Sequence, residues 1–104
     1  MTPEKWQKLS QEEQILNIAA ELSRAKFWLK EKNIDQVINC LNRAFELLDL
    51  TISVSCRQNL LKELLRFRGV LAQFYINKDK NSDEFAKIFK ILLMLNKSTS
   101  LVKF

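Results

Sequence analysis

Apolar residues recur at helical spacing along most of this chain. Behind Ser10, the positions Ile15, Ile18, Leu22, Ala25 and Leu29 step by three and four, a narrow seam like that of a coiled coil. Leu16, Ala19 and Phe27 widen it. Ser10 and Glu13 fit a capping box, so a first long helix is predicted from there to about Lys30. Ahead of it, Thr2 suits an N-cap and Pro3 a first helical position. A short helix within residues 1–9 is therefore expected, with Trp6 and Leu9 as its apolar contacts. Asn33, with Gln36 three residues on, caps a second long helix. On it Ile34, Val37, Ile38, Leu41, Ala44, Phe45 and Leu48 share one face, and Asp35, Asn39, Asn42, Arg43, Glu46 and Asp49 occupy the rest. The turn at Lys32-Asn33 is short enough to require this helix to run antiparallel to the first.

The stretch "TISVS" interrupts that period, and its β-branched and serine content predicts a connector. Ser55 with Gln58 is a further capping-box candidate, opening a third long helix from about Cys56 to Ile76. "NKDKNS" reads as a polar loop. Asn81 with Glu84 caps a fourth helix, expected to end near Asn96, and "KSTSLVKF" (97–104) reads as a frayed tail.

The repeat structure bears on architecture. A 34-residue tetratricopeptide period would place the Lys32-Asn33 turn on Arg66-Phe67, inside the third helix, and so fails. A shift of 48 aligns "KNIDQV" (32–37) with "KNSDEF" (80–85), Leu16 with Leu64, and Phe27 with Tyr75. The unit is then a helical hairpin. Two hairpins predict one all-α domain over residues 1–104, an antiparallel four-helix bundle with a short extra amino-terminal helix.

The last two helices carry more apolar surface than such a bundle uses. At roughly 100° per residue, Leu60, Leu64, Phe67, Leu71 and Phe74 form the seam of the third helix. Leu61, Leu65, Ala72 and Tyr75 extend it one way and Val70 the other, making an arc of more than half the circumference. On the fourth helix, Phe85, Ile88, Phe89, Leu92 and Leu95 form the seam, while Ile91, Leu93 and Met94 lie outside it. One explanation makes the third helix central and covers the fourth with the amino-terminal segment. The other makes part of this surface a binding groove or homodimer face. The partner-binding candidates are then Leu61, Leu65, Tyr75, Phe89, Leu93 and Met94, of which Leu65 and Leu93 lie farthest from their seams. Arg57, Arg66, Arg68, Lys87 and Lys90 would rim that face.

Composition narrows the chemistry. With 47% apolar residues, seven Phe, and a single Gly and Pro, the chain is suited to long helices and an ordered core. No apolar run approaches the roughly 20 residues of a membrane span, and the mixed-charge amino terminus lacks a signal-like apolar stretch, so a cytoplasmic protein is expected. Cys40 and Cys56 stand with fifteen residues between them and there is no histidine, which removes zinc sites, histidine bases and Ser-His or Cys-His pairs. Both cysteines are expected to be reduced and structural. The lone glycine, Gly69, falls inside a helix, so no phosphate-cradling loop is present. No catalytic residue, cofactor or metal is expected. Charge is uneven: residues 1–50 hold seven Lys or Arg against eight Asp or Glu, and residues 51–104 hold ten against four. That basic half supports a second reading, a nucleic-acid-associated helical protein, although Arg57, Lys62, Arg66 and Arg68 are spread around their helix and form no stripe.

Three segments resemble the flagellin-export chaperones, small cytosolic helical bundles, over residues 20–96. "LSRAKFWLKEKNIDQVINCLNRAFELLDLTI" is similar to that family's Leu-x-x-Ala-Lys helix, turn and following amphipathic helix. "LLRFRGVLAQFYINKDKNSDEF" resembles its third helix, and "IFKILLML" its last. Two departures stand beside these: Gln14-Ile15-Leu16 where the family has a Leu-Tyr-Asp-like stretch, and Asn33 where it favours Gly-Asp. The resemblance implies a non-enzymatic chaperone that cradles a helical segment of an export substrate, and it transfers no individual site residue. The expected protein is therefore an adaptor, a chaperone-like partner or a homodimer.

Overall fold

A computed structural model describes residues 2–54, 58–77 and 80–101, the side chains of Gln58 and of 96–101 excepted. It is helical throughout, with no strand among the described residues. In order the elements are α1 (Pro3–Gln7), α2 (Gln11–Lys30), α3 (Ile34–Val54), α4 (Gln58–Ile76) and α5 (Ser82–Leu101). The cycle of packed pairs runs α2 on α3, α3 on α4, α4 on α5 and α5 back on α2, with α1 laid on α3. The α2–α3 and α2–α5 pairings are the extensive ones. One core results. Ile15, Ile18, Leu22, Val37, Leu41, Leu48, Leu64, Phe67, Leu71, Phe74, Phe85 and Leu92, all essentially buried, join it from all four long helices.

Side chains that satisfy free backbone groups set the helix ends. Thr2 Oγ1 accepts from the Lys5 amide at 3.4 Å. At α2, Ser10 Oγ accepts from the Glu13 amide at 3.1 Å and Glu13 Oε1 accepts from the Ser10 amide at 3.0 Å, completing the capping box. The carboxyl end of α2 closes through Lys32, whose φ is 59°. The Asn33 amide reaches Trp28 O and the Lys32 amide reaches Leu29 O, at 2.9 and 3.1 Å. This is a Schellman closure with lysine where glycine is usual. Asn33 Oδ1 then accepts from the Gln36 amide to start α3, and Asn81 Oδ1 accepts from the Asp83 and Glu84 amides to start α5. Both caps thus respect the 48-residue offset. At the end of α4 the arrangement differs: Lys80 Nζ donates to the carbonyls of Phe74, Tyr75 and Asn77.

Three expectations are corrected. The stretch from Thr51 to Val54 belongs to α3 and is no connector. Its hydroxyls are absorbed by the helix, Thr51 Oγ1 donating to Leu47 O and Ser53 Oγ to Leu50 O, each at 2.8 Å. The tail is also partly regular: α5 passes Asn96 and ends at Leu101, since no glycine or proline interrupts it. Finally, the amino-terminal helix covers α3, not the fourth long helix, and α2 is the most extensively packed element in place of the third. The Ser55-Gln58 capping box, Cys56 and Arg57 lie outside the described residues.

Trp6 explains the placement of α1. Its ring is fully buried, and Nε1 donates to Thr51 Oγ1 at 2.8 Å. Gln14, itself buried, donates from Nε2 to Trp6 O and Leu9 O at 2.9 and 3.3 Å. A single turn of helix could not persist alone in water; indole burial and these paired polar groups hold it. No helix among the described residues is long and apolar enough to cross a membrane.

Candidate binding surface

Polar ties between helices precede the exposed surface, because they show which charges the fold already uses. Glu21, buried on α2, accepts from Arg24 at 2.6 Å and from Arg43 of α3 at 3.1 Å. Arg43 also donates to the Cys40 thiol at 3.6 Å. The Cys40 sulfur and then the Glu21 carboxylate raise the Arg43 guanidinium above its ordinary value. Cys40 is free and fully buried. Between α3 and α4, Arg68 donates to Asp49 at 2.8 Å, which raises its pKa, and lies over the Phe45 ring at 5.2 Å. Tyr75 meets Phe45 edge to face, with centroids 5.6 Å apart.

Two residues assigned from sequence to the binding face, Tyr75 and Arg68, are therefore engaged in the α3–α4 contact. Leu61 is half-buried on α4. Leu65 is 51% exposed. Arg66 is exposed and approaches Glu63 at 3.5 Å. On α5, Phe89 is half-buried against the core, Leu93 is 40% exposed and Met94 is 61% exposed. Lys87 and Lys90 are both exposed, and neither has an acidic partner among the described salt bridges.

Four of the sequence candidates come together in one place. Phe89, Leu93, Lys87 and Lys90, with Ala86, line a groove of about 330 Å³ on the outer face of α5. Ala86 was not singled out from sequence, since a small side chain on a wide apolar arc gives no signal of its own. The acids of α5, Asp83 and Glu84, sit in its first turn, so the stretch from Phe85 to Leu95 carries two lysines and no carboxylate.

A second groove was not foreseen. It measures about 430 Å³, and its described lining is Glu46, Leu47, Asp49, Leu50 and Ser53 of α3. Each groove takes its described lining from a single helix. Such shallow features suit an elongated apolar segment laid alongside better than a small molecule, which needs walls on several sides.

Nine large apolar residues are well exposed among those described, and six of them belong to α4 and α5: Leu65, Val70, Ile76, Ile91, Leu93 and Met94. The other three are Leu16, Phe27 and Ile34. No family model, curated protein or solved structure matches the chain. Its functional reading therefore rests on the chemistry of this surface.

Proposed function

We propose that the four long helices close as an antiparallel bundle and that the chain is a cytoplasmic, non-catalytic binding protein. It docks a helical segment of a protein through the apolar surface of α4 and α5, as an adaptor, a chaperone-like partner or a self-associating module. The antiparallel arrangement is supported by the three-residue α2–α3 turn together with the cyclic pairing of the helices. The docking function is carried by one observation, the concentration of exposed apolar side chains on α4 and α5. Single surface leucines are ordinary, but six large exposed apolar side chains on two helices, with Leu93 set beside two lysines that have no described ion-pair partner, have the composition of contact surface. The resemblance to flagellin-export chaperones points the same way. The nucleic-acid alternative has less support, because Arg66 and Arg68 already face carboxylates.

Capture of partners from extract of the source cell, by wild type and by Leu65→Gln/Leu93→Gln, tests this. Both leucines stand outside the core, so the variant should keep its helical signal and melting temperature. It should lose the captured protein at low and moderate salt alike. A variant that unfolds would make these leucines core residues. An unchanged capture would place the contact elsewhere, and a captured complex that contains nucleic acid and disappears steeply with salt would favour that alternative.

A further inference from the structure

The two grooves are chemically opposite. On α5, Phe89 and Leu93 provide the apolar floor and Lys87 and Lys90, three residues apart, the charged rim. On α3, Leu47 and Leu50 provide the floor and Glu46 and Asp49, again three residues apart, the rim. Residues three apart on a helix stand on the same side about one turn from each other. A lysine pair and a carboxylate pair with that common spacing can face each other across two packed helices. We propose that α5 of one molecule docks on α3 of a second copy of this chain, joining the basic groove to the acidic one. This deepens the docking function above, on which it rests, by naming the partner.

The charges favour this pairing over the symmetrical one. An interface of α5 against α5 would bring four lysines together, and one of α3 against α3 would gather the carboxylates. Both are opposed by like-charge repulsion. Pairing α5 with α3 instead sets the two lysines against Glu46 and an Asp49 that Arg68 already partly neutralises. Asp49 already accepts from Arg68, whereas Glu46 is exposed with no described ion-pair partner. Glu46 is thus the carboxylate most open to a lysine from outside. Because the two surfaces differ, contact through them leaves one of each free at the ends, and the assembly grows head to tail or closes into a ring. A contact of two or three helical turns is far smaller than the roughly 1,200–2,000 Å² of a stable complex, so association is weak and concentration-dependent. It also weakens as salt screens the lysines.

Charge exchange tests the pairing in sedimentation velocity, from low micromolar to millimolar protein and at two salt concentrations. Wild type should shift to larger species with concentration. Lys87→Glu/Lys90→Glu should stay monomeric, and Glu46→Lys should do the same, with circular dichroism unchanged in both. Mixing the two variants should restore association, because the acidic α5 of one then meets the basic α3 of the other. A monomeric wild type overturns the proposal, as does association that both variants retain or that mixing fails to rescue. Loss of the pairing and loss of the docking function separate cleanly. A monomeric wild type whose capture of another protein still depends on Leu65 and Leu93 removes only the self-pairing, and capture independent of both leucines removes the docking function as well. Binding to anionic vesicles by a monomeric wild type would assign the lysines of α5 to a membrane surface and also overturn the proposal.

Discussion

The α2–α3 and α4–α5 pairs have the same plan: helices of about twenty residues, with asparagine caps 48 positions apart. They differ in what surrounds them. The α2–α3 pair is closed by a Schellman turn, tied by Glu21 to Arg43, and sealed where Trp6 meets Thr51. In the second pair, α4 packs less extensively on both neighbours, contains the only glycine, and shares with α5 most of the exposed apolar side chains. The difference has a physical meaning. Apolar surface packed in the core, to which all four long helices contribute, stabilises the fold, whereas the exposed apolar side chains of α4 and α5 contribute little to it. The α2–α3 pair is the better-tied framework, and more of the exposed apolar surface falls on the other pair.

The largest test of this division is a charge placed in the framework. Leu41 is completely buried at the centre of α3. Leu41→Asp should remove the folded state, because an unpaired carboxylate there would cost more than the roughly 5–15 kcal/mol stability of a small domain can spare. Circular dichroism and thermal melts decide it, with Leu65→Gln as the exposed control. A soluble, cooperatively melting Leu41→Asp protein would break the contrast.

Trp6 comes next. Trp6→Ala should destabilise the chain by about 3–5 kcal/mol through lost burial. Trp6→Phe should cost less, since it keeps most of the bulk and gives up the bond to Thr51. Equal, small effects for both would mean that α1 contributes nothing to the framework. Hydrogen exchange at the carboxyl-terminal amides of α3 should report the loss, because α1 lies on α3.

Much of this was legible in the sequence, and the misses have causes. Helix starts were readable because caps are local: Ser10, Asn33 and Asn81 each satisfy amides two or three residues away. The end of α3 was misread because Thr51 and Ser53 look like connector residues until their hydroxyls bond back into the helix. The candidate surface was half legible. Phe89, Leu93, Lys87 and Lys90 emerged from the width of the α5 arc. Tyr75 and Arg68 could not be withdrawn from it without knowing that Phe45 and Asp49 of α3 stand opposite. The acidic groove of α3 left no trace, since Glu46 and Asp49 read simply as a polar face.

A smaller expected effect sharpens the comparison from the side of α4. Gly69 lies in the middle of that helix, exposed, and a Cβ built on it meets nothing within 4 Å. Glycine in a helix interior is about 0.8–1.0 kcal/mol less favourable than alanine. Gly69→Ala should therefore raise stability by about that amount, seen as a higher denaturant midpoint with unchanged slope. It should also slow exchange in α4 more than in α2. No gain would mean that α4 is held by its packing and not by its own helical tendency, which would narrow the difference between the two helix pairs.

The smallest effect concerns the start of the framework. Glu13 Oε1 accepts from the Ser10 amide, and this bond, with the Ser10 hydroxyl beside it, holds the Glu13 carboxyl below the usual glutamate range. A carboxyl whose pKa is lower in the folded than in the unfolded chain binds protons more weakly when folded. Its contribution is then complete above the unfolded pKa and fades as pH falls through the folded one. Glu13→Gln should consequently lie closest to wild type at acid pH and diverge most near neutrality, where only the wild type has the charged cap. Glutamine can still accept from the Ser10 amide, so the gap between the two isolates the charge from the hydrogen bond. Paired thermal melts from neutral to acid pH measure it. A constant gap would mean that the carboxylate contributes by geometry alone, and a gap that widens in acid would reverse the sign argued here.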